Sequence, residues 1–132
     1  MDQAVCLHQT PMFHDNSLGA LLAALSAGGV TTFVPSFEPG DGLDVTERVA
    51  VTMTAMVPTM SASDARPSQF RAGRLATLST LTYGSSPMPA PLLDKLPGLF
   101  PSMDIFQGYG MTENAGPLTA FHRGRGRERL RS

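Results

Sequence analysis

Short β-rich runs alternate with helical runs along most of this chain, and that alternation restricts its fold more than any other feature. Leu18, Leu21, Leu22 and Leu25 recur at helical spacing, and Gly28-Gly29 sits where such a helix would stop. Residues 31–34 form a β-rich run closed by Pro35, and 36–41 read as a loop. A short helix is expected over 43–50, with Asp41 or Asp44 near its start, and a strand over 51–57, closed by Pro58. Residues 59–65 have weak helical character and 66–74 read as a polar loop. A strand over 78–83 runs into Gly84-Ser85-Ser86-Pro87. The helix over 89–96 carries a proline in its first turn, where the missing N–H costs little. Pro97-Gly98 is expected to end it, and the last strand is placed at 103–107. Four such alternations predict an α/β fold, a mostly parallel sheet with flanking helices.

Composition removes several alternatives. Residues 1–122 carry five cations against ten anions, whereas the last ten residues carry five arginines against one glutamate. The body and the tail are therefore different kinds of sequence, and 121–132 is read as an Arg-rich disordered tail. Alternating arginines can contact phosphates of RNA or DNA. No aromatic residue interleaves them, however, so no nucleic-acid partner is expected. Cys6 is the only cysteine, which excludes an intrachain disulfide. His8, His14 and His122 are scattered, which argues against a metal site of protein nitrogen and sulfur. The 18 uncharged residues 17–34 contain Gly28-Gly29 and Thr31-Thr32, which fit a helix followed by a strand better than a membrane span. The N-terminus lacks a basic region followed by an apolar run, so a cytoplasmic chain is expected. Met53, Met56, Met60 and Met88 read as core filler.

Gln107-Gly108-Tyr109-Gly110-Met111-Thr112-Glu113 concentrates chemistry suited to a nucleotide. Tyr109 offers an aromatic face for a base. Gly108 and Gly110 allow close approach to the backbone. Thr112 supplies a hydroxyl for a phosphate oxygen, and Glu113 a hard oxygen ligand for Mg²⁺. The plainer reading is a strand entering a Gly-rich turn with a solvated Glu. A Tyr-Gly-x-Thr-Glu match arises by chance in a chain of this length roughly once in a thousand.

Three stretches in fixed order resemble the AMP-forming adenylating enzymes, above all their fatty-acid and related acid–CoA ligases. They are Pro11-Met12-Phe13-His14, Leu81-Thr82-Tyr83-Gly84-Ser85-Ser86-Pro87-Met88-Pro89, and the 107–113 stretch. Val57-Pro58-Thr59-Met60 is similar to the family's segment beside the acyl pocket. The resemblance covers about residues 4–120, which would form part of the large N-terminal adenylation domain. It implies that a carboxylic acid reacts with ATP to give an acyl-adenylate, from which CoA takes the acyl group. Gly84, Ser85, Ser86 and Pro87 would border the adenine, and Tyr109 would stack on it within the binding stretch Gln107 to Thr112. Thr112 would bond the α-phosphate and Glu113 would hold Mg²⁺. Phe13 and His14 would line the path of the acid, although His14 reads equally well as a core histidine. The family commonly has a second glycine where Ser85 stands, and Asp15-Asn16 is polar for an apolar tunnel.

The family's phosphate loop, ribose-binding Asp and catalytic Lys match nothing in this sequence, and the one lysine, Lys95, lies in no such motif. The chain is accordingly read as an internal piece of an acid–CoA ligase, inactive by itself. Two alternatives stand beside it: an active half of a split ligase completed by another polypeptide, and a basic-tailed RNA-binding protein. Leu18, Leu21, Leu22 and Leu25 are expected to be left exposed.

Overall fold

A computed structural model describes residues 3–36, 38, 40–56, 72–99 and 102–123. Six strands form one sheet: β1 (Val5–His8), β2 (Val30–Phe33), β3 (Met53–Met56), β4 (Thr80–Tyr83), β5 (Asp104–Met111) and β6 (Gly116–Arg123). Their order is β2-β1-β3-β4-β5-β6. The first five are mutually parallel and β6 runs antiparallel to β5. Three α-helices connect them: α1 (Asp15–Ser26), α2 (Asp41–Val49) and α3 (Ala90–Leu99). The fold is thus the mostly parallel α/β sheet that the alternation predicts.

The order doubles back at β1. From β1 the chain crosses one way to β2, then returns past β1 to β3 and proceeds to β4 and β5. Right-handed crossovers then place α1 on one face and α2 and α3 on the other. The core reflects this division. Leu7, Leu81, Tyr83 and Ile105 from the sheet pack with Val45 of α2 and Leu96 of α3. Cys6 and His8, on the alternate side chains of β1, are buried but lie outside that cluster.

α1 has a weak apolar interface. Only Ser17 and Ala24 are buried on it, whereas Leu18, Leu22 and Leu25 are 47%, 57% and 55% exposed and Leu21 is half-buried. The expectation of an uncovered leucine face therefore holds at three of its four positions. Ser17 anchors the helix by donating to the Thr10 carbonyl at 2.9 Å and pairing with the Thr10 hydroxyl. α2 is closed by Ala50 in the left-handed region, φ 55°. Arg74, on the short 3₁₀ turn Ala72–Leu75, bonds Asp44 and Glu47 on the exposed side of α2.

Five sequence expectations change. β1 and β6 add two strands to the four foreseen. The strand placed at 103–107 continues through the glycines to Met111, because β6 pairs with it along that whole length. α3 passes through Pro97 and Gly98 to Leu99. The fixed φ of proline is itself helical; the missing N–H and the crowding of the carbonyl four residues back are costs that the last turn of α3 carries. Phe121 to Arg123, assigned to the tail, close β6. Arg74, assigned to a loop, lies on the 3₁₀ turn. Val57-Pro58-Thr59-Met60, the weak helix at 59–65, residues 66–71 and the arginine-rich 124–132 lie outside the described residues. Of the methionines, Met88 and Met103 are buried in the core.

Candidate functional site

The segments that follow β1 and β4 meet the end of β5 around a cavity of about 330 Å³. Parallel sheets commonly bind ligands at this edge, where strand ends and loops converge. Three separate stretches form the walls: His14, Asp15 and Asn16 at the start of α1; Gly84 and Ser85 after β4; and Gly108, Gly110, Met111, Thr112 and Glu113 from β5 onward. Pro117 of β6 completes the lining.

Each wall has a local reason for its position. His14 is the extended residue preceding α1, φ −83° and ψ 138°, and its carbonyl accepts the N–H groups of Ser17 and Leu18. The loop after β4 is pinned by Met88, whose side chain is buried in the core three residues beyond Ser85. Within that loop Ser85 takes φ 68°, a left-handed conformation that favours glycine. That is the position at which a second glycine is common in the resembling family. Thr112 and Glu113 lie on a single 3₁₀ turn, Thr112–Asn114, closed by Ala115 at φ 59°.

The glycines answer to the sheet before they answer to a ligand. A Cβ on Gly110 would lie 2.7 Å from Pro117 Cα and against the Gly116 carbonyl, both backbone atoms of β6. The register shifts between Tyr109 and Gly110, where β6 carries an extra residue. Gly110 is therefore required by the approach of β6. A Cβ on Gly84 would stand 3.0 Å from the Gly108 carbonyl oxygen, so this glycine allows β4 and β5 to come together at the cavity. Gly108 has more space, its nearest neighbour at 3.8 Å.

The residues singled out by sequence divide into two groups. His14, Gly84, Ser85, Gly108, Gly110, Met111, Thr112 and Glu113 share the cavity. Phe13, Ser86, Pro87, Gln107 and Tyr109 do not line it. Phe13 is 83% exposed with its ring centroid 4.7 Å from that of His14. Tyr109 is 59% exposed and alternates with the lining glycines. Gln107 is half-buried and accepts the Tyr83 hydroxyl at 3.0 Å. Asp15, Asn16 and Pro117 line the cavity without having been assigned to it. Asp15-Asn16 was legible as a polar pair; Pro117 carried no signal, because it arrives only through the β6 pairing.

The lining holds two carboxylates, Asp15 and Glu113, and no Lys or Arg among the described residues. Nor do the described residues hold a group of three or more His, Cys, Asp or Glu side chains able to bind a metal. No described helix is long and apolar enough to cross a membrane.

Comparison with known proteins agrees with this arrangement. The family model for AMP-binding enzymes matches residues 1–132. A feruloyl-CoA synthase from Amycolatopsis sp is 35% identical over 123 residues, covering 92% of this chain and 25% of the relative. 4-Coumarate–CoA ligase 1 of Arabidopsis thaliana is 34% identical over 125 residues, covering 94% and 22% respectively. The structure of o-succinylbenzoate coenzyme A synthetase from Bacillus subtilis in complex with AMP superposes with a TM-score of 0.74 at 28% identity, over 91% of this chain and 29% of that one. The chain thus spans about a quarter of the length of the curated relatives it matches. With sequence, topology and the full-length family match in agreement, this chain belongs to the AMP-binding enzyme family.

Proposed function

We propose that the cavity is the adenine-nucleotide pocket of an acid–CoA ligase, and that this chain alone binds nucleotide weakly without turning it over. The observation that carries the reading is convergence. His14, Gly84 and Ser85, and Gly108 with Gly110 to Glu113 lie far apart in sequence yet line one cavity. Its volume is at the small end of the range of about 300–1,000 Å³ usual for small-molecule sites.

In this reading Gly84 to Pro87 border the adenine and Thr112 donates to an α-phosphate oxygen. Tyr109 stacks its exposed ring on a base seated at the cavity mouth, and Gln107, Gly108, Gly110 and Met111 shape the wall beneath it. Phe13 and His14 flank the entry of the acid. A lone Glu113 suits Mg²⁺, which is commonly held through one or two carboxylates together with substrate phosphates. When bound, Mg²⁺ would neutralise charge while a carboxylate approaches an anionic phosphate. CoA thiol would then accept the acyl group in the parent reaction.

The absence of Lys or Arg from the described lining argues that this chain alone is inactive. Losing one preorganised charge-stabilising group typically costs about 10²–10³ in rate. In the alternative of a split ligase, a completing polypeptide would bring such a cation to the cavity.

Ligand-observed NMR titration with AMP tests the reading. Stacking on one aromatic face contributes about 1–3 kcal/mol, so millimolar binding that weakens in Tyr109→Ala and Thr112→Val is expected. Absence of AMP binding, or affinity unchanged in both variants, would overturn the pocket. Pyrophosphate release from ATP, Mg²⁺ and a carboxylic acid should not exceed that of Glu113→Ala; release above that control would overturn the claim of inactivity.

A further inference from the structure

Two walls of the cavity come from adjacent strands, and a part-buried side-chain hydrogen bond ties those strands together. Tyr83, the last residue of β4, is 2% exposed and packs in the core with Leu81, Met88 and Ile105. Its hydroxyl donates to Gln107 Oε1 at 3.0 Å, and the two residues are register partners across β4 and β5. Immediately beyond them, Gly84 and Gly108 both line the cavity and lie nearly in contact. Ser85 follows Gly84 in a left-handed conformation, and Gly110, Met111 and Thr112 follow Gly108. Gly84 on one wall and Gly108 and Gly110 on the other leave few side chains to brace them, so spacing between the walls depends on what lies beneath.

We propose that Tyr83 is a positioning residue for the nucleotide, acting through Gln107 to hold the 84–85 wall at a fixed spacing from the 108–112 wall. The inference rests on the reading of the cavity as a nucleotide pocket. Neither side chain lines the cavity, so Gln107, placed by resemblance among the binding residues, acts at one remove. Tyr83 was not among the site residues expected from sequence. The aromatic anchor lies in the core and its hydroxyl ends on β5, the strand that leads into the turn of Thr112 and Glu113. Core packing is thereby transmitted to the phosphate end of the pocket.

The test is a double-mutant cycle on the full chain, with AMP as the probe and thermal melting recorded in parallel. Tyr83→Phe and Gln107→Leu should each weaken AMP between about two- and tenfold, the range of a single hydrogen bond. The double variant should bind no more weakly than the worse single variant. Val51→Ala, at a fully buried core residue that does not line the cavity, should lower the melting temperature while leaving AMP affinity within about twofold. Additive losses in the double variant overturn the inference, as does Tyr83→Phe or Gln107→Leu binding like the parent. Equal weakening in Val51→Ala overturns it too, because the effect would then be loss of stability alone. Failure of the parent chain to bind AMP overturns both this inference and the pocket itself.

Discussion

Replacing Ser85 with glycine should stabilise the chain, and the size of the gain follows from one backbone angle. Ser85 sits at φ 68°. A left-handed conformation costs an L-residue with a Cβ roughly 1–2 kcal/mol. Its side chain makes no hydrogen bond within the described residues, so nothing local offsets the strain. Glycine removes that cost but loses more backbone entropy on folding, about 0.5–1 kcal/mol. The net expectation is a gain of about 0.5–1 kcal/mol. In urea, with a slope of about 1–3 kcal/mol/M, the midpoint should rise by a few tenths of a molar unit at unchanged slope. Ala50→Gly is the companion control. Ala50 closes α2 at φ 55°, exposed and outside the cavity, and should gain a similar amount with no change in AMP binding. An unchanged or lower midpoint for Ser85→Gly, together with a higher one for Ala50→Gly, would refute the strain argument at the cavity. It would mean that the loop after β4 accepts the serine without cost.

Gly110→Ala should destabilise by about 1–3 kcal/mol, because its Cβ meets the backbone of Gly116 and Pro117 rather than a movable side chain; a urea midpoint equal to the parent's would exclude the close approach of β6. His8 gives stability a pH dependence of predictable sign. Burial pushes its imidazole below the ordinary value, so the unfolded chain takes up the proton first. The stability contribution of neutral His8 is fully present above the ordinary histidine value of about 6.5 and is lost as pH falls below it. Urea midpoints measured across pH 5–8 should fall toward acid, and His8→Phe should flatten that fall; an unchanged profile would exclude His8 as its source. Leu18, Leu22 and Leu25 leave an apolar face uncovered and should drive concentration-dependent association. Replacing all three with Gln should shift gel-filtration elution toward the monomer with the same far-ultraviolet dichroism, and unaltered elution would show that this face is not what associates.

The fold was legible where periodicity and punctuation agree. Gly28-Gly29 lies just past α1, and Pro35 just past β2. β1 escaped notice because Val5-Cys6-Leu7-His8 is too short to show a period, and its burial comes from neighbours on both sides rather than from alternation. β6 was hidden differently. It begins with Gly-Pro, which reads as a turn, yet a proline is tolerated on an edge strand because one side of its backbone needs no partner. Pro97 misled for the converse reason: its fixed φ is compatible with a helix, and α3 runs on through it to Leu99. Each of these depends on contacts between distant segments, which local patterns do not carry.

The site raises a harder version of the same question. Its glycines look like ligand-binding residues, yet Gly110 is fixed by β6 and Gly84 by the carbonyl of Gly108. A motif of this kind reports two constraints at once, close packing of strand ends and the cavity that such packing leaves. That explains how a short stretch identifies the family while leaving the roles of individual residues open. Ser85 separates the two constraints. Gly84 is needed where strands meet, whereas at Ser85 the demand is only a positive φ, which serine meets at an energetic cost. Glycine in the first position is therefore a requirement of the fold, and in the second a preference that this chain does without. Thr112 and Glu113 are different again: both are exposed on one short turn, and no packing contact among the described residues explains their identities. Of the whole 107–113 stretch, these two residues point most directly to chemistry rather than to architecture.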